Sequence, residues 1–143
     1  MKKTALVMAL FVFCSAAFSF ADTDAEVNAR KNALDVAGAF TNDGFKLRDG
    51  HWCGTAKPQD HALIAVNLFA GNQYWFAVGT AESGKKIEVN LYDEGGKLVP
   101  TEHYQAGDRA AAGFSPADSG QYFVSVDLPE GEPTNFCLIY SYK

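Results

Sequence analysis

The fold is indicated first by residues 71–78, GNQYWFAV, and by a similar stretch at residues 119–126, SGQYFVSV. Both contain a turn-forming glycine, then Gln-Tyr, then a run of alternating aromatic and β-branched residues, as in a strand that leaves a tight turn. Residues 87–96, IEVNLYDEGG, lie between them and predict a third strand that ends in a turn. The glycines stand at different distances from the two tyrosines, so we interpret the stretches as separate strands rather than as an internal repeat.

The alternation with a period of two continues through residues 45–143, and turns rich in Gly, Pro and Asp interrupt it. Strands with one polar face are typical of antiparallel sheets. About seven to nine such strands predict an all-β fold, an antiparallel β-sandwich or jelly roll. A small up-and-down barrel has the same periodicity and stays open as an alternative. The eight predicted strands lie around residues 51–55, 62–69, 74–78, 87–92, 102–105, 110–115, 121–128 and 136–142.

Residues 22–44 have a helical pattern instead and predict one N-terminal amphipathic helix of about four turns. Thr23 and Glu26 have the spacing of a capping box, which satisfies free amide groups at a helix start. Residues 41–44, TNDG, supply turn formers and a glycine that end the helix. We expect its apolar stripe to dock on the β-domain, with a partner-binding helix as the alternative. The stripe comprises Val27, Ala33, Val36, Ala37 and Phe40.

Residues 1–21 are typical of a signal peptide. Two lysines near the start precede the uncharged apolar residues 5–13, and small residues then occupy the two positions that a signal peptidase recognises. Cleavage is expected between Ala21 and Asp22. We therefore expect a secreted or periplasmic protein that is not embedded in a membrane after cleavage.

Two other interpretations of the same segment are disfavoured. A retained membrane helix would need roughly 20 apolar residues, and this stretch is shorter. A lipoprotein would be modified at Cys14, but Phe13 stands where a small residue must precede a lipidated cysteine.

The charge of the expected mature chain restricts its partners. Cleavage lowers the 12 Lys and Arg residues to 10 while all 17 Asp and Glu remain, which gives a formal net charge of −7. An acidic domain without a cluster of Lys and Arg is poorly suited to nucleic acid or to anionic membranes. Protein or polysaccharide partners remain, and we expect no nucleic acid.

Two cysteines, Cys53 and Cys137, remain after cleavage. In an exported protein such a pair predicts a disulfide. The alternative, a metal site or a catalytic thiol, needs partners at short spacing, and only His51 lies near either cysteine.

Three segments of the predicted sandwich resemble the bacterial pre-peptidase C-terminal domain. They are residues 72–76, NQYWF, residues 89–96, VNLYDEGG, and residues 114–124, FSPADSGQYFV. The resemblance covers residues 60–128 and implies a jelly-roll sandwich of the kind found beside secreted proteases and other exoenzymes. It implies a role in targeting, binding or secretion. The helix and the cysteine pair are additions to the family pattern.

Motifs for catalysis are sparse, so we expect neither an enzyme nor a cofactor. His51, His61 and His103 belong to no metal-binding or catalytic motif. Ser115 precedes a proline and lacks the second glycine of a nucleophile elbow. Two alternatives stay open. One is a zinc site assembled from distant strands, and the other is a hydrolase that uses His103 with Glu102.

Calcium is the metal that the turns could accommodate. Asp93, Glu94 and Asp118 are weak candidate ligands, because hard cations prefer carboxylate and carbonyl oxygens. An aspartate before glycine is also what a β-turn selects by itself, since it bonds to the local backbone.

Trp75, Tyr92 and Phe123 lie opposite the main apolar stripes of their strands, and we take them as candidate surface-binding residues. If these strand faces point to solvent, the three aromatic side chains form an exposed patch of the kind that binds a glycan or a protein. The simpler interpretation is that the helix or the second sheet covers them.

The sequence as a whole predicts an exported, non-enzymatic binding or structural module of the cell envelope or the extracellular space. The alternative is an accessory or inhibitory subunit of a secreted enzyme, with residues 97–107 as the contact.

Overall fold

The computed structural model describes residues 23–82 and 86–143. The predicted signal peptide and its cleavage site at Ala21 and Asp22 lie outside these residues. No helix in the described part of the chain is long and apolar enough to cross a membrane. The elements are α1 (Asp24–Thr41), β1 (Lys46–Leu47), β2 (Trp52–Ala56), β3 (His61–Leu68), β4 (Tyr74–Thr80), β5 (Glu88–Tyr92), β6 (Glu102–Ala106), β7 (Arg109–Phe114), β8 (Gly120–Asp127) and β9 (Thr134–Tyr142).

The strands of the described residues form two antiparallel sheets. The larger has the order β1-β9-β4-β7-β6, with β2 also paired to β9, and the smaller has the order β3-β8-β5. The prediction of an all-β sandwich with one N-terminal helix is confirmed, and the two separate sheets distinguish it from an up-and-down barrel. Every predicted strand is present within two residues of its expected bounds, and only the short β1 was not predicted.

The central strands of the larger sheet, β4, β7 and β9, are buried on both faces. Side chains alternate between the two faces of a strand, and in β4 the residues Tyr74, Phe76 and Val78 enter the main core between the sheets. Ala77 and the half-buried Trp75 point the other way, into a second core beneath α1. The molecule therefore has three layers: the helix, the larger sheet and the smaller sheet.

Small residues bring α1 close to the larger sheet. The buried face of the helix consists of Ala29, Ala33, Val36 and Ala37, and it meets the small side chains of β4 and β7, among them Ala111. Thr23 caps the helix, because its Oγ1 accepts a hydrogen bond from the Glu26 amide at 3.2 Å.

The prediction that Val27 belongs to the buried stripe of the helix was wrong. Val27 is 42% exposed, and Ala29 occupies the buried position instead. At roughly 100° of rotation per residue, Val27 lies roughly 140° from the centre of the buried face. It therefore points to solvent although it is apolar.

A chain of polar contacts fixes the helix on the sheet. Asn32 Nδ2 donates to the Thr80 carbonyl oxygen at 2.8 Å, and Arg109 Nη2 donates to Asn32 Oδ1 at 3.0 Å. The Arg109 guanidinium also lies 3.5 Å from the Asp35 carboxylate. The Asn32 amide thus both donates and accepts, which fixes one position of α1 over the end of β4.

The predicted disulfide between Cys53 and Cys137 is present. It joins residues that lie directly opposite each other on β2 and β9, with Cα atoms 4.1 Å apart. Cys137 is fully buried, and its Sγ lies 3.5 Å from the Glu26 carbonyl oxygen in the first turn of α1. The bond therefore ties an edge strand to the sheet beneath the start of the helix.

We expect Gly79→Ala to lower the free energy of unfolding by about 3 kcal/mol, at the upper end of the overpacking range. A Cβ at this position would lie 2.4 Å from the Ala33 nitrogen and 2.6 Å from the Ala29 carbonyl oxygen. These are backbone atoms, so no rotamer change relieves the clash. Urea unfolding of the oxidised protein measures the effect.

The matched control is Gly38→Ala, within α1, where a Cβ meets nothing within 4 Å. Alanine should stabilise this position by about 0.5–1 kcal/mol, because it has the higher helix propensity. Equal stabilities of the two variants would show that α1 does not pack closely on β4.

Replacement of both disulfide cysteines by alanine should lower the free energy of unfolding by about 4.5 kcal/mol, the chain-entropy value for a loop of this length. The two residues are separated by 84 positions in the sequence. A reductant should destabilise the wild-type chain similarly and leave the double variant unchanged. A wild-type chain whose unfolding is insensitive to reductant would contradict this role.

Candidate functional site

The outer face of the smaller sheet carries the candidate site. This sheet packs its other face on the main core, and in the described part of the chain no layer covers its outer face. Side chains alternate along the strands, so the outward residues follow from the burial pattern and the register. They are His61, Leu63, Ala65 and Asn67 of β3, Gln121, Phe123, Ser125 and Asp127 of β8, and Glu88, Asn90 and Tyr92 of β5.

An apolar row crosses this outer face. Ala65 lies opposite Phe123, Phe123 lies opposite Tyr92, and Tyr92 forms an isolated bridge with Leu98. With neighbouring strands about 4.8 Å apart, the row spans roughly 14 Å. Phe123 and Tyr92 are half-buried, and Leu98 is 55% exposed. We call these four residues the apolar row.

A polar cluster lies next to the apolar row and centres on Asp127. Its carboxylate accepts hydrogen bonds from Ser125 Oγ at 2.7 Å and from Asn90 Nδ2 at 3.2 Å. His61 Nδ1 lies 2.5 Å from Asp127 Oδ1. Because a carboxylate can only accept, the shared proton belongs to His61. The cluster therefore holds an amide, a carboxylate and an imidazole in fixed positions.

Asp127 also changes the titration of His61. The hydrogen bond to the Asp127 carboxylate, and then its negative charge, raise the pKa of His61 above its ordinary value. The side chain of His61 is 66% exposed and that of Asp127 only 15% exposed. The imidazole of His61 is therefore exposed to solvent and readily protonated, and it is hydrogen-bonded to the largely buried carboxylate of Asp127.

The cluster does not have the geometry of a catalytic triad. In a Ser-His-Asp triad the histidine is hydrogen-bonded to the serine and takes its proton. Here Ser125 is fully buried and donates to Asp127 instead. The arrangement therefore does not activate Ser125 as a nucleophile.

Two shallow depressions flank these residues. One, of about 360 Å³, is lined by Leu63, Phe123 and Glu94 together with His61 and Tyr92. The other, of about 390 Å³, shares His61 and Tyr92 and extends over the polar cluster. The two depressions thus lie on either side of shared residues, and each falls in the size range of small-ligand sites.

Trp75 does not belong to this face, although the sequence grouped it with Tyr92 and Phe123. Its ring stacks on Phe40 of α1 with centroids 4.3 Å apart and planes inclined by 10°. A Cβ at Gly113 would come within 2.8 Å of the Trp75 ring, so this glycine makes room for the indole. The helix covers Trp75, and the two other aromatic residues lie on the opposite side of the molecule.

The candidate calcium ligands lie around one cavity. Asp93, Glu94 and Asp118 line the same cavity of about 500 Å³, together with Ser115. Asp93 Oδ1 accepts a hydrogen bond from the Lys97 amide at 2.9 Å, which is the local turn contact that aspartate favours. Within residues 23–82 and 86–143, no three His, Cys, Asp or Glu side chains are close enough to hold a metal ion.

The other histidines have separate environments. His51 Nε2 lies 3.4 Å from Arg30 Nη1, and His103 Nε2 lies 3.1 Å from Thr101 Oγ1. Glu102 and His103 are adjacent on β6, an exposed edge strand of the larger sheet.

Sequence reasoning missed Asp127, Ser125, Asn90 and Leu98. Ser125 and Asp127 share the parity of Phe123 on β8, so the alternation places all three on one face. Their contacts with His61 and Asn90 depend on the pairing of β8 with β3 and β5, which only the structure gives.

Comparison with known proteins gives no relative, since neither a protein-family model nor a curated protein matches the chain.

We expect Asp127→Asn to return the pKa of His61 towards 6.5, as measured by NMR titration of its ring protons. In the wild type the raised pKa means that the folded state binds the proton more tightly than the unfolded state. The stabilisation is therefore complete below pH 6.5 and is lost as the pH rises through the folded-state pKa.

The same pH dependence should disappear from the unfolding free energy of His61→Gln, which keeps the carboxylate. An unchanged His61 titration in Asp127→Asn would show that this carboxylate does not hold the imidazole.

Proposed function

We propose that this chain is an exported, non-enzymatic binding module of the cell envelope or the extracellular space, and that it binds through the outer face of the smaller sheet. The observation that carries the proposal is the apolar row of Ala65, Phe123, Tyr92 and Leu98 beside the polar cluster of Asp127. Rings next to fixed hydrogen-bonding groups are the usual composition of a binding surface.

A polysaccharide is the ligand that suits this face. Sugar rings have an apolar C–H face and a rim of hydroxyl groups, which match an aromatic row and an adjoining carboxylate, amide and imidazole. The formal net charge of −7 expected after cleavage favours a neutral or cationic chain over an anionic one.

The location outside the cytoplasm is supported by two features. The disulfide between Cys53 and Cys137 is compatible with an oxidising compartment. The first 21 residues have the composition of a cleaved signal peptide.

A second candidate function is an accessory or inhibitory subunit of a secreted enzyme. It is supported by β6, whose five residues are all exposed at the edge of the larger sheet, within the predicted contact at residues 97–107. The resemblance to the pre-peptidase C-terminal domain points the same way. Its three motifs fall at the start of β4, on β5 with the following turn, and on the turn that enters β8.

Binding to the insoluble cell-wall fraction of the native organism tests the first function. Tyr92→Ala combined with Phe123→Ala should weaken retention about tenfold or more, because central aromatic residues dominate binding free energy. The matched control is Tyr104→Ala on β6, an exposed aromatic residue outside this face.

The control should retain full binding. If Tyr104→Ala abolishes retention while the Tyr92 and Phe123 variant binds as the wild type does, the contact belongs to β6 and the outer-face proposal fails. Circular dichroism of each variant separates loss of binding from loss of folding.

A further inference from the structure

Strand β3 forms one edge of the smaller sheet. All eight of its residues, from His61 to Leu68, pair with β8 in a continuous register without a bulge. Among the described residues it pairs with no other strand. Its second row of backbone amide and carbonyl groups is therefore available to another strand.

The opposite edge of this sheet is covered. The Val99 amide donates to the Leu91 carbonyl oxygen at 3.0 Å, and Gln105 Nε2 donates to the Ile87 carbonyl oxygen at 3.0 Å. Leu91 lies on β5 and Ile87 directly precedes it. The two hydrogen bonds therefore join this edge to Val99 and to Gln105 of β6.

Strand β3 lacks the devices that usually protect an edge. Natural edge strands are short, bulged, or marked by lysine or proline, which prevents pairing with other chains. The sequence HALIAVNL has no Lys, Arg, Asp, Glu, Pro or Gly. In contrast, β1 has only two residues and includes Lys46, and β6 begins with Glu102.

Some core residues beside β3 are also partly exposed to solvent. Ala62 and Ile64 point into the main core but are only half-buried, and Trp52 at the edge of the larger sheet is half-buried too. On the outer face, Leu63 is 57% exposed. A strand added along β3 would cover Ala62 and Ile64 and supply partners for the free backbone groups.

We propose that β3 pairs with β3 of a second copy of this chain, antiparallel about a two-fold axis perpendicular to the sheet. Such an axis keeps outward residues next to outward residues, so residues of equal parity face each other. The register centred on Ile64 places Leu63 opposite Ala65 and Ala62 opposite Val66. In this register Leu63 and Val66 each meet an alanine, and the two copies of Ile64 lie opposite each other on the axis.

The composition of β3 makes a second copy of the strand a compatible partner, because it contains no Asp, Glu, Lys or Arg. Two acidic molecules repel each other over most of their surfaces, but β3 carries no fixed charge that would face its copy. The nearest acidic residue along the chain, Asp60, would lie opposite Leu68 in this register. The pairing therefore joins two molecules of negative net charge without placing like charges opposite each other.

The dimer would contain one continuous six-stranded sheet built from two copies of β3, β8 and β5. Both outer faces would lie on the same side of this sheet. Pairing at this edge does not depend on what the outer face binds.

Cysteine cross-linking tests the register. The double variant Leu63→Cys with Ala65→Cys places each new thiol opposite the other in the partner, within the roughly 4.4–6.8 Å between Cα atoms that a disulfide allows. It should form a covalent dimer under mild oxidation on a non-reducing gel. Each single variant should stay monomeric on the gel, because its thiol is offset by two residues from its own copy.

Sedimentation tests the interface without new thiols. The wild-type chain should show a concentration-dependent dimer, and Leu63→Lys with Ala65→Lys should raise its dissociation constant at least tenfold, about 1.4 kcal/mol. The control Gln121→Lys puts an exposed lysine on the central strand β8 and should leave the dimer unchanged.

A wild-type chain that sediments as a monomer at every concentration would overturn the proposal, even if the β3 edge accepts a strand from a different protein. A dimer that both lysine substitutions leave intact, and that the double-cysteine variant does not cross-link, would overturn it as well. Thermal unfolding of every variant identifies those that fail to fold, and the cross-linking pair then decides the question.

Discussion

The close packing of α1 on the larger sheet is the constraint on which the rest of the structure depends. Gly79 and its small neighbours Ala77 and Ala111 let the helix backbone approach the sheet to a distance at which even one added methyl group would clash. The opposite face of the same strands carries large residues such as Phe76, which fill the main core. The helix covers one face of the larger sheet and the main core covers the other. The uncovered sheet face is therefore the outer face of the smaller sheet. The location of the candidate site is therefore a consequence of where the helix docks.

Two different contacts hold the helix in that position. The disulfide of Cys137 lies under the first turn of α1, and the Asn32 amide joins the helix to the Thr80 backbone and to Arg109. The covalent bond restricts the unfolded chain, whereas the amide satisfies buried polar groups in the folded one. Together they make α1 an integral layer of the sandwich rather than an appended segment.

The sequence was sufficient for the strands, the helix and the disulfide, since each depends on local periodicity or on a count of cysteines. It was not sufficient for the environment of each face. Trp75 and Phe123 occupy equivalent positions in two similar stretches, yet the helix covers Trp75 and leaves Phe123 on the outer face. The difference comes from the sheet to which each strand belongs, because α1 packs on the larger sheet that contains β4 and covers Trp75 there. The prediction for Val27 was wrong because an apolar side chain does not by itself fix the helix face, and Val27 lies on the side away from the buried residues. Asp127 was missed because its partners come from two other strands.

The same layer arrangement holds the side chains of the outer face in place. Phe123 lies on β8, which is paired on both sides, and Tyr92 is held by the bridge to Leu98 at the end of β5. Asp127 has three hydrogen-bonding partners and so holds His61 and Asn90 in place. Side chains that are already ordered lose little conformational entropy when a ligand arrives, so more of the contact free energy remains as affinity. For the proposed binding role, the order of Phe123, Tyr92 and His61 before binding would therefore contribute to affinity.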